Sequence, residues 1–234
     1  MIELPVHGLG RAWIEHAAER LDELEPIEQA LLSPRATGKR RNEFVAGRLA
    51  AHEALEQLRE WLPGSLGSSM PGMAVVAETG ERQGCPKVVD AGLRALPLHV
   101  SISHCDSLAI AVAASVPVGI DLVRVEAQPR GFAEEAFDAR ELASWAVALD
   151  LDADHPEVLA HAFAAKEALV KWIGRGFGLG LHEVSTIPEA PIEREGDREA
   201  RVIAQWPGQR QRFVVRRWFE AELLVVLAFA LEPR

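Results

Sequence analysis

From Glu157 to Ile173 the chain has no Gly or Pro, and then Gly falls at 174, 176, 178 and 180. A stretch that rich in Ala, Leu, Lys and Glu is predicted to be helical. The alternating glycines end the helix and open a backbone of unusual freedom. Residues 152–156 break the chain ahead of it, with Asp154 or His155 as the cap and Pro156 at the first helical position. Glu167 and Lys171 then stand one turn apart on one face, with Phe163 a turn earlier. Two readings of this pair stay open. It is a common surface ion pair worth about 0.3–0.5 kcal/mol, or it is part of a site that needs a second carboxylate from elsewhere.

A second helix is expected from Phe44 to Leu62, from the spacing of Phe44, Leu49, Leu55, Leu58 and Leu62, ending before Pro63-Gly64. The run Lys39-Arg40-Arg41 at its start runs against the helix dipole, which favours anions there. Either a bound phosphate resolves the conflict, sharing cations and N-terminal amides, or the run is solvated. Residues 132–149 read as a further helix. Residues 1–30 read as acidic and amphipathic, with no nameable chemistry.

Strands are expected at 74–77, 88–89, 97–103, 108–113, 118–123, 183–187, 201–206, 212–219 and 223–229. The pair 97–103 and 108–113 reads as a hairpin joined through Ser103-His104-Cys105-Asp106. His104 at a strand end reads as a hydrogen-bonding scaffold residue or a site residue. In Val118-Gly-Ile-Asp121-Leu-Val123 an Asp interrupts an apolar strand, and burying it as an ion demands a partner. A metal cation or an Arg would serve. Gly119 admits a ligand or another backbone at close range. The order helix plus strands, then helix plus strands, suggests two lobes with a seam near Val116.

The chain has 234 residues, 48% of them hydrophobic, enough for one sizeable core or two small lobes. A net charge of −10 argues against nucleic acid as a partner. The longest apolar run, Leu223 to Leu231, is too short to span a bilayer, and no export signal is evident. The two cysteines, Cys85 and Cys105, form no Cys-x-x-Cys pair, so a disulfide framework or zinc-thiolate site is not expected and a reducing cytoplasm fits. The glycine run follows a helix, so it is no dinucleotide fingerprint, and no P-loop, zincin motif or Gly-x-Ser-x-Gly elbow occurs.

Gly119-Ile-Asp121, followed by Phe163-x-x-Lys166-Glu167-Ala-x-x-Lys171 and Gly-x-Gly, resembles the paired signature of the 4′-phosphopantetheinyl transferases. Ser103-His104 resembles the family's Ser-His element, and Gly47-Arg48-Leu-Ala after a basic run resembles its CoA-contacting helix. Gly84-Cys85-Pro86 resembles its Gly-Lys-Pro element, with Cys where Lys is common. The length is similar to that of the larger, monomeric, surfactin-type branch.

The resemblance implies an α+β fold of two similar α/β lobes, 1–116 and 117–234. They would be related by a pseudo-twofold, each with a long helix on a mainly antiparallel sheet, and CoA would lie in the cleft between them. It implies a cytoplasmic, monomeric enzyme, with no membrane partner. That enzyme moves 4′-phosphopantetheine from CoA to a serine of an apo acyl, aryl or peptidyl carrier protein and releases 3′,5′-ADP. Pathways of that kind make fatty acids, polyketides or non-ribosomal peptides.

Asp121 and Glu167 would hold Mg²⁺, or Mn²⁺ in its place. Glu167, Lys171 and His104 would serve catalysis. Lys39, Arg48, Gly84, Pro86, Ser103, His104 and Lys171 would contact CoA. The branch commonly has Glu where this chain has Val123, so a water or backbone carbonyl is expected in that coordination position. A carrier-binding module without catalysis and a Mg²⁺-dependent CoA or nucleotide phosphohydrolase are the alternatives. Carrier docking is expected on local Arg patches or on the apolar Met70–Met73 region.

Overall fold

The computed structural model describes residues 7–61, 72–174, 179–192 and 198–231. Its contacts divide the chain into two compact units, Met1–Val118 and Gly119–Arg234. Each is α/β with antiparallel sheets, as the family resemblance implies.

In the first unit, β1 (His7–Trp13), β4 (His99–Cys105) and β5 (Leu108–Ala114) form an antiparallel sheet in the order β1-β5-β4. A short helix α1 (Pro26–Leu31) and a long helix α2 (Gly38–Trp61) precede a second sheet of β2 (Ala74–Ala77) and β3 (Pro86–Val89). The helix α2 lies on β1 at backbone contact. A Cβ built on Gly8 would stand 1.9 Å from the Ala54 carbonyl oxygen, and one on Gly10 would stand 1.9 Å from that of Ala50. Fully buried Ala46, Ala50, Ala51 and Ala54 complete this small-residue seam. The strand β1 was not legible in the sequence. Its apolar positions alternate with Gly and with exposed Arg11 and Trp13, so it lacks an apolar run.

The second unit has a five-stranded antiparallel sheet in the order β6-β10-β9-β8-β7. Its strands are β6 (Gly119–Arg124), β7 (Ser185–Pro188), β8 (Arg198–Trp206), β9 (Gln209–Glu220) and β10 (Leu223–Ala230). Helices α3 (Phe132–Ala136), α4 (Ala139–Leu149) and α5 (Pro156–Ile173) lie between β6 and β7 in the chain. The single helix expected over 132–149 is two. Asp138 is extended, and its carboxylate accepts the Glu141 N–H at 2.8 Å, capping a new helix. Such a cap is worth about 1 kcal/mol. The helix α5 starts and stops where expected. The His155 ring accepts the Glu157 N–H, Pro156 follows, and Gly174 closes the helix at φ +70°. Trp172 packs edge-on against Phe213 of β9, with ring centroids 4.8 Å apart.

The units repeat one plan. Each opens with a glycine-bearing strand pressed on the long helix and closes with a strand antiparallel to it, β5 beside β1 and β10 beside β6. The hairpin of β4 and β5 turns at Asp106-Ser107, not through Ser103-His104-Cys105-Asp106. His104 and Cys105 are strand residues paired with Ala109 and Leu108, and Asp106 takes φ +51°, a conformation Asp tolerates better than most residues.

Candidate active site

Gly119 decides how close β6 comes to α5. A Cβ there would lie 1.8 Å from the Ala168 carbonyl oxygen, so the close approach it permits is that of another backbone. Two residues on, Asp121 lies on the same face of β6, opposite Val226, which belongs to the core under α5. Ala168 sits between Glu167 and Lys171. The glycine contact therefore brings Asp121 beneath the turn that carries the other two groups.

The Lys171 ammonium donates to Asp121 Oδ1 at 2.6 Å and to the Ile120 carbonyl at 3.0 Å. A cation partner for the buried Asp121 is thus a lysine, where the sequence offered a metal or an arginine. The expected Glu167–Lys171 surface pair gives way to this contact across the helix–strand seam. Asp121 is 7% exposed in its side chain and Lys171 27%. Glu167 is half-buried. Burial, and after it the negative charge of Asp121, push the Glu167 carboxyl above the ordinary value of 4.5, while Lys171 pulls it back. Asp121 and Glu167 are thus close enough for the charge of one to act on the other, and the Lys171 ammonium goes to Asp121.

That excess of negative charge fits a small hard cation. Mg²⁺ typically takes only one or two carboxylates and leaves its other positions to phosphate and water. No group of three or more His, Cys, Asp or Glu suited to a metal occurs among the described residues. Val123 packs against the apolar core and Glu126 is exposed, so neither adds a carboxylate. Of the glycine-rich exit, Gly174 and Gly180 are described, and residues 175–178 lie outside the described residues, as does Met70 of the expected docking loop.

Lys166, the other lysine of the motif, faces inward. It is 1% exposed, donates to Glu141 at 2.7 Å and to the Ala136 carbonyl at 2.6 Å, and lies 4.7 Å from the Phe137 ring centroid. Glu141 also accepts from the Thr186 N–H at 2.8 Å and hydroxyl at 2.7 Å. This network ties α5 to α3, α4 and β7, and so fixes the rotation at which Glu167 is presented. Sequence reasoning missed it. The available signal was helical phase, because Lys166 shares a face with Ala162, Ala165 and Leu169.

The remaining candidates lie in the first unit. Gly8 faces Ala54 and Gly10 faces Ala50, so each step of two along β1 moves one turn toward the start of α2. The next row is Ala12, Ala109 and His104. His104 is therefore exposed on the helix-bearing face, toward the end of α2 that carries Lys39-Arg40-Arg41. Ser103 is buried on the opposite face, as alternation requires. Lys39 and Arg40 lie 3.7 and 3.8 Å from Glu43, which offsets part of their conflict with the helix dipole, and Thr37 caps the helix. Arg48 is 14% exposed in its side chain and lies over the Phe44 ring at 4.9 Å. Gly84 takes φ +87° beside buried Cys85, and Pro86 opens β3.

A family model described as the 4′-phosphopantetheinyl transferase superfamily matches residues 117–217, and one described as the 4′-phosphopantetheinyl transferase N-terminal domain matches residues 27–114. The chain belongs to the 4′-phosphopantetheinyl transferase superfamily. The N-terminal match fits the two-lobe branch. The protein is thus a phosphopantetheinyl transferase, of a family that uses CoA as substrate and acts on carrier proteins. No curated protein matches the chain. Among the described residues, no helix of the transferase is long and apolar enough to cross a membrane.

Proposed function

We propose that this transferase is Mg²⁺-dependent, with Asp121 and Glu167 holding the metal, and that it releases 3′,5′-ADP. The observation that carries the reading is the seam of β6 and α5, where Lys171 pairs with Asp121 and the Asp121 charge acts on the nearby Glu167 carboxyl. Mg²⁺, or Mn²⁺ in its place, supplies charge neutralisation and alignment of the diphosphate when bound.

Glu167, directly or through a water, takes the proton of the carrier serine. Burial, and after it the Asp121 charge, raise its proton affinity above the ordinary carboxylate value, the direction a proton acceptor needs. The serine oxygen bonds to the phosphorus that bears pantetheine, the diphosphate bond breaks, and 3′,5′-ADP leaves with the electron pair. Lys171 stabilises the charge that develops on the phosphate oxygens. Lys39, Arg48 and His104 hold CoA phosphates, and Gly84, Pro86 and Ser103 shape the CoA contact. The enzyme acts as a cytoplasmic monomer, on carriers of fatty acid, polyketide or non-ribosomal peptide assembly.

The test is to incubate the protein with CoA, Mg²⁺ and an apo carrier, then weigh the carrier and assay 3′,5′-ADP. Serine-linked phosphopantetheine with one 3′,5′-ADP per transfer is expected, and chelation should stop both. Asp121→Ala and Glu167→Ala should each remove the metal-dependent reaction while the fold persists. Full turnover by both variants would refute the metal assignment.

A further inference from the structure

Glu28 is fully buried, and nothing in the proposed chemistry uses it. A carboxylate withdrawn from water is tolerated only with partners around it. His52 Nε2 lies 2.9 Å from Oε2 and 3.0 Å from Oε1. The Val75 N–H donates at 2.8 Å and the Glu25 N–H at 3.1 Å. Arg48 Nε stands 4.0 Å from the carboxylate, buried and with no hydrogen-bond partner among the described residues. Phe44, Arg48 and His52 follow one another at four-residue spacing, so they form one stripe of α2. The residue Glu28 on α1 reaches across to that stripe, and Val75 on β2 closes the other side.

Arg48 is therefore bounded on two sides. The Phe44 ring faces its guanidinium and the Glu28 carboxylate faces its Nε edge. Burial weakens the guanidinium's hold on its proton, Glu28 strengthens it, and nearby Arg40 weakens it again. An arginine already fixed in place loses less side-chain freedom when it binds an anion.

We infer that Glu28 is a positioning residue for CoA binding, whose buried carboxylate attracts the Nε edge of Arg48 across 4.0 Å and leaves the terminal nitrogens to the phosphate. This rests on the assignment of Arg48 as a CoA contact. A Glu28 that only anchors α1 would weaken the fold and leave CoA affinity of the folded enzyme unchanged.

The test uses the full chain with CoA, Mg²⁺ and an apo carrier. Glu28→Gln should raise KM for CoA about tenfold, or about 1.4 kcal/mol, with kcat within about twofold. In an Arg48→Lys background the same change should leave KM unaltered. An equal rise in both backgrounds, or none in either, overturns the inference. The second readout needs no turnover. In CoA-free protein the Arg48 Nε–Hε resonance should shift and exchange faster in Glu28→Gln, and an unchanged resonance overturns the inference whatever CoA does. An Arg48→Ala variant with unaltered KM for CoA would instead refute the assignment of Arg48 itself, and with it the CoA role of Glu28. If Glu28→Gln fails to fold, Glu28→Asp carries the same tests, because it keeps the charge and shortens the reach.

Discussion

Gly119→Ala tests whether the seam of β6 and α5 sets the site. The added methyl carbon would lie 1.8 Å from the Ala168 carbonyl oxygen and 3.0 Å from the Trp172 nitrogen, where ordinary contact begins at 3.4 Å. The strand must retreat by about 1.6 Å, the difference between those contacts. The clash is with helix backbone, so no side-chain rotation relieves it. Overpacking of a tight core costs about 1–3 kcal/mol, and a backbone clash belongs at the upper end. For a chain of this size, about 3 kcal/mol lowers Tm by roughly 6–12 °C. Asp121 lies two residues along the same strand and moves with it. A displacement of about 1 Å costs roughly a hundredfold in rate. Thermal melts should therefore show the loss, and phosphopantetheinylation of an apo carrier should fall about a hundredfold at temperatures where the variant is folded. A variant that melts within a degree of the parent and turns over normally would refute the reasoning. Gly38→Ala is the melting control, because nothing lies within 4 Å of its Cβ position and its φ is not positive.

Lys166→Met leaves Glu141 buried without its ammonium. Breaking such a pair costs about 3–5 kcal/mol, measurable by urea unfolding, and adding Glu141→Gln should recover part of the loss, because the amide still accepts from Thr186. Lys171→Met strips Asp121 of the ammonium at 2.6 Å. In metal-free protein about 3 kcal/mol should be lost, and Mg²⁺ should restore more Tm to this variant than to the parent. The folded protein raises the Glu167 carboxyl above 4.5 by burial and by Asp121. Protonated Glu167 thus contributes stability that is full below about pH 4.5 and is lost as pH rises through its folded value. Metal-free protein should lose Tm over that window, and Glu167→Gln should flatten the loss.

Local rules explain what was legible. The helix α5 was readable end to end because its cap, its N1 proline and its C-terminal glycine each act within one turn. The apolar strands β5, β6 and β10 were readable because both faces are buried and their composition shows it. By contrast, β1 was hidden, because its apolar positions alternate with the glycines that let α2 touch it. The break between α3 and α4 was hidden too, because Asp138 looks like any acid in a helix until its neighbour Phe137 turns extended. Gly119-Ile-Asp121 and Lys166-Glu167 marked a family, yet the motif did not say that Lys166 serves the core.

The sequence by itself determined the elements that carry Asp121, Glu167 and Lys171, and the family to which they belong. Only the tertiary structure decided the partners. Lys171 was in reach of Glu167 by helical spacing, but the Gly119 contact puts Asp121 beneath it, and the amine goes to the more deeply buried carboxylate. The charged partners of Glu28 and Glu141, His52 and Lys166, lie more than twenty residues away in sequence and meet them only in the packed fold. Spacing along a chain fixes which groups share a face, whereas the desolvation that makes a charge choose its partner exists only once the core has closed.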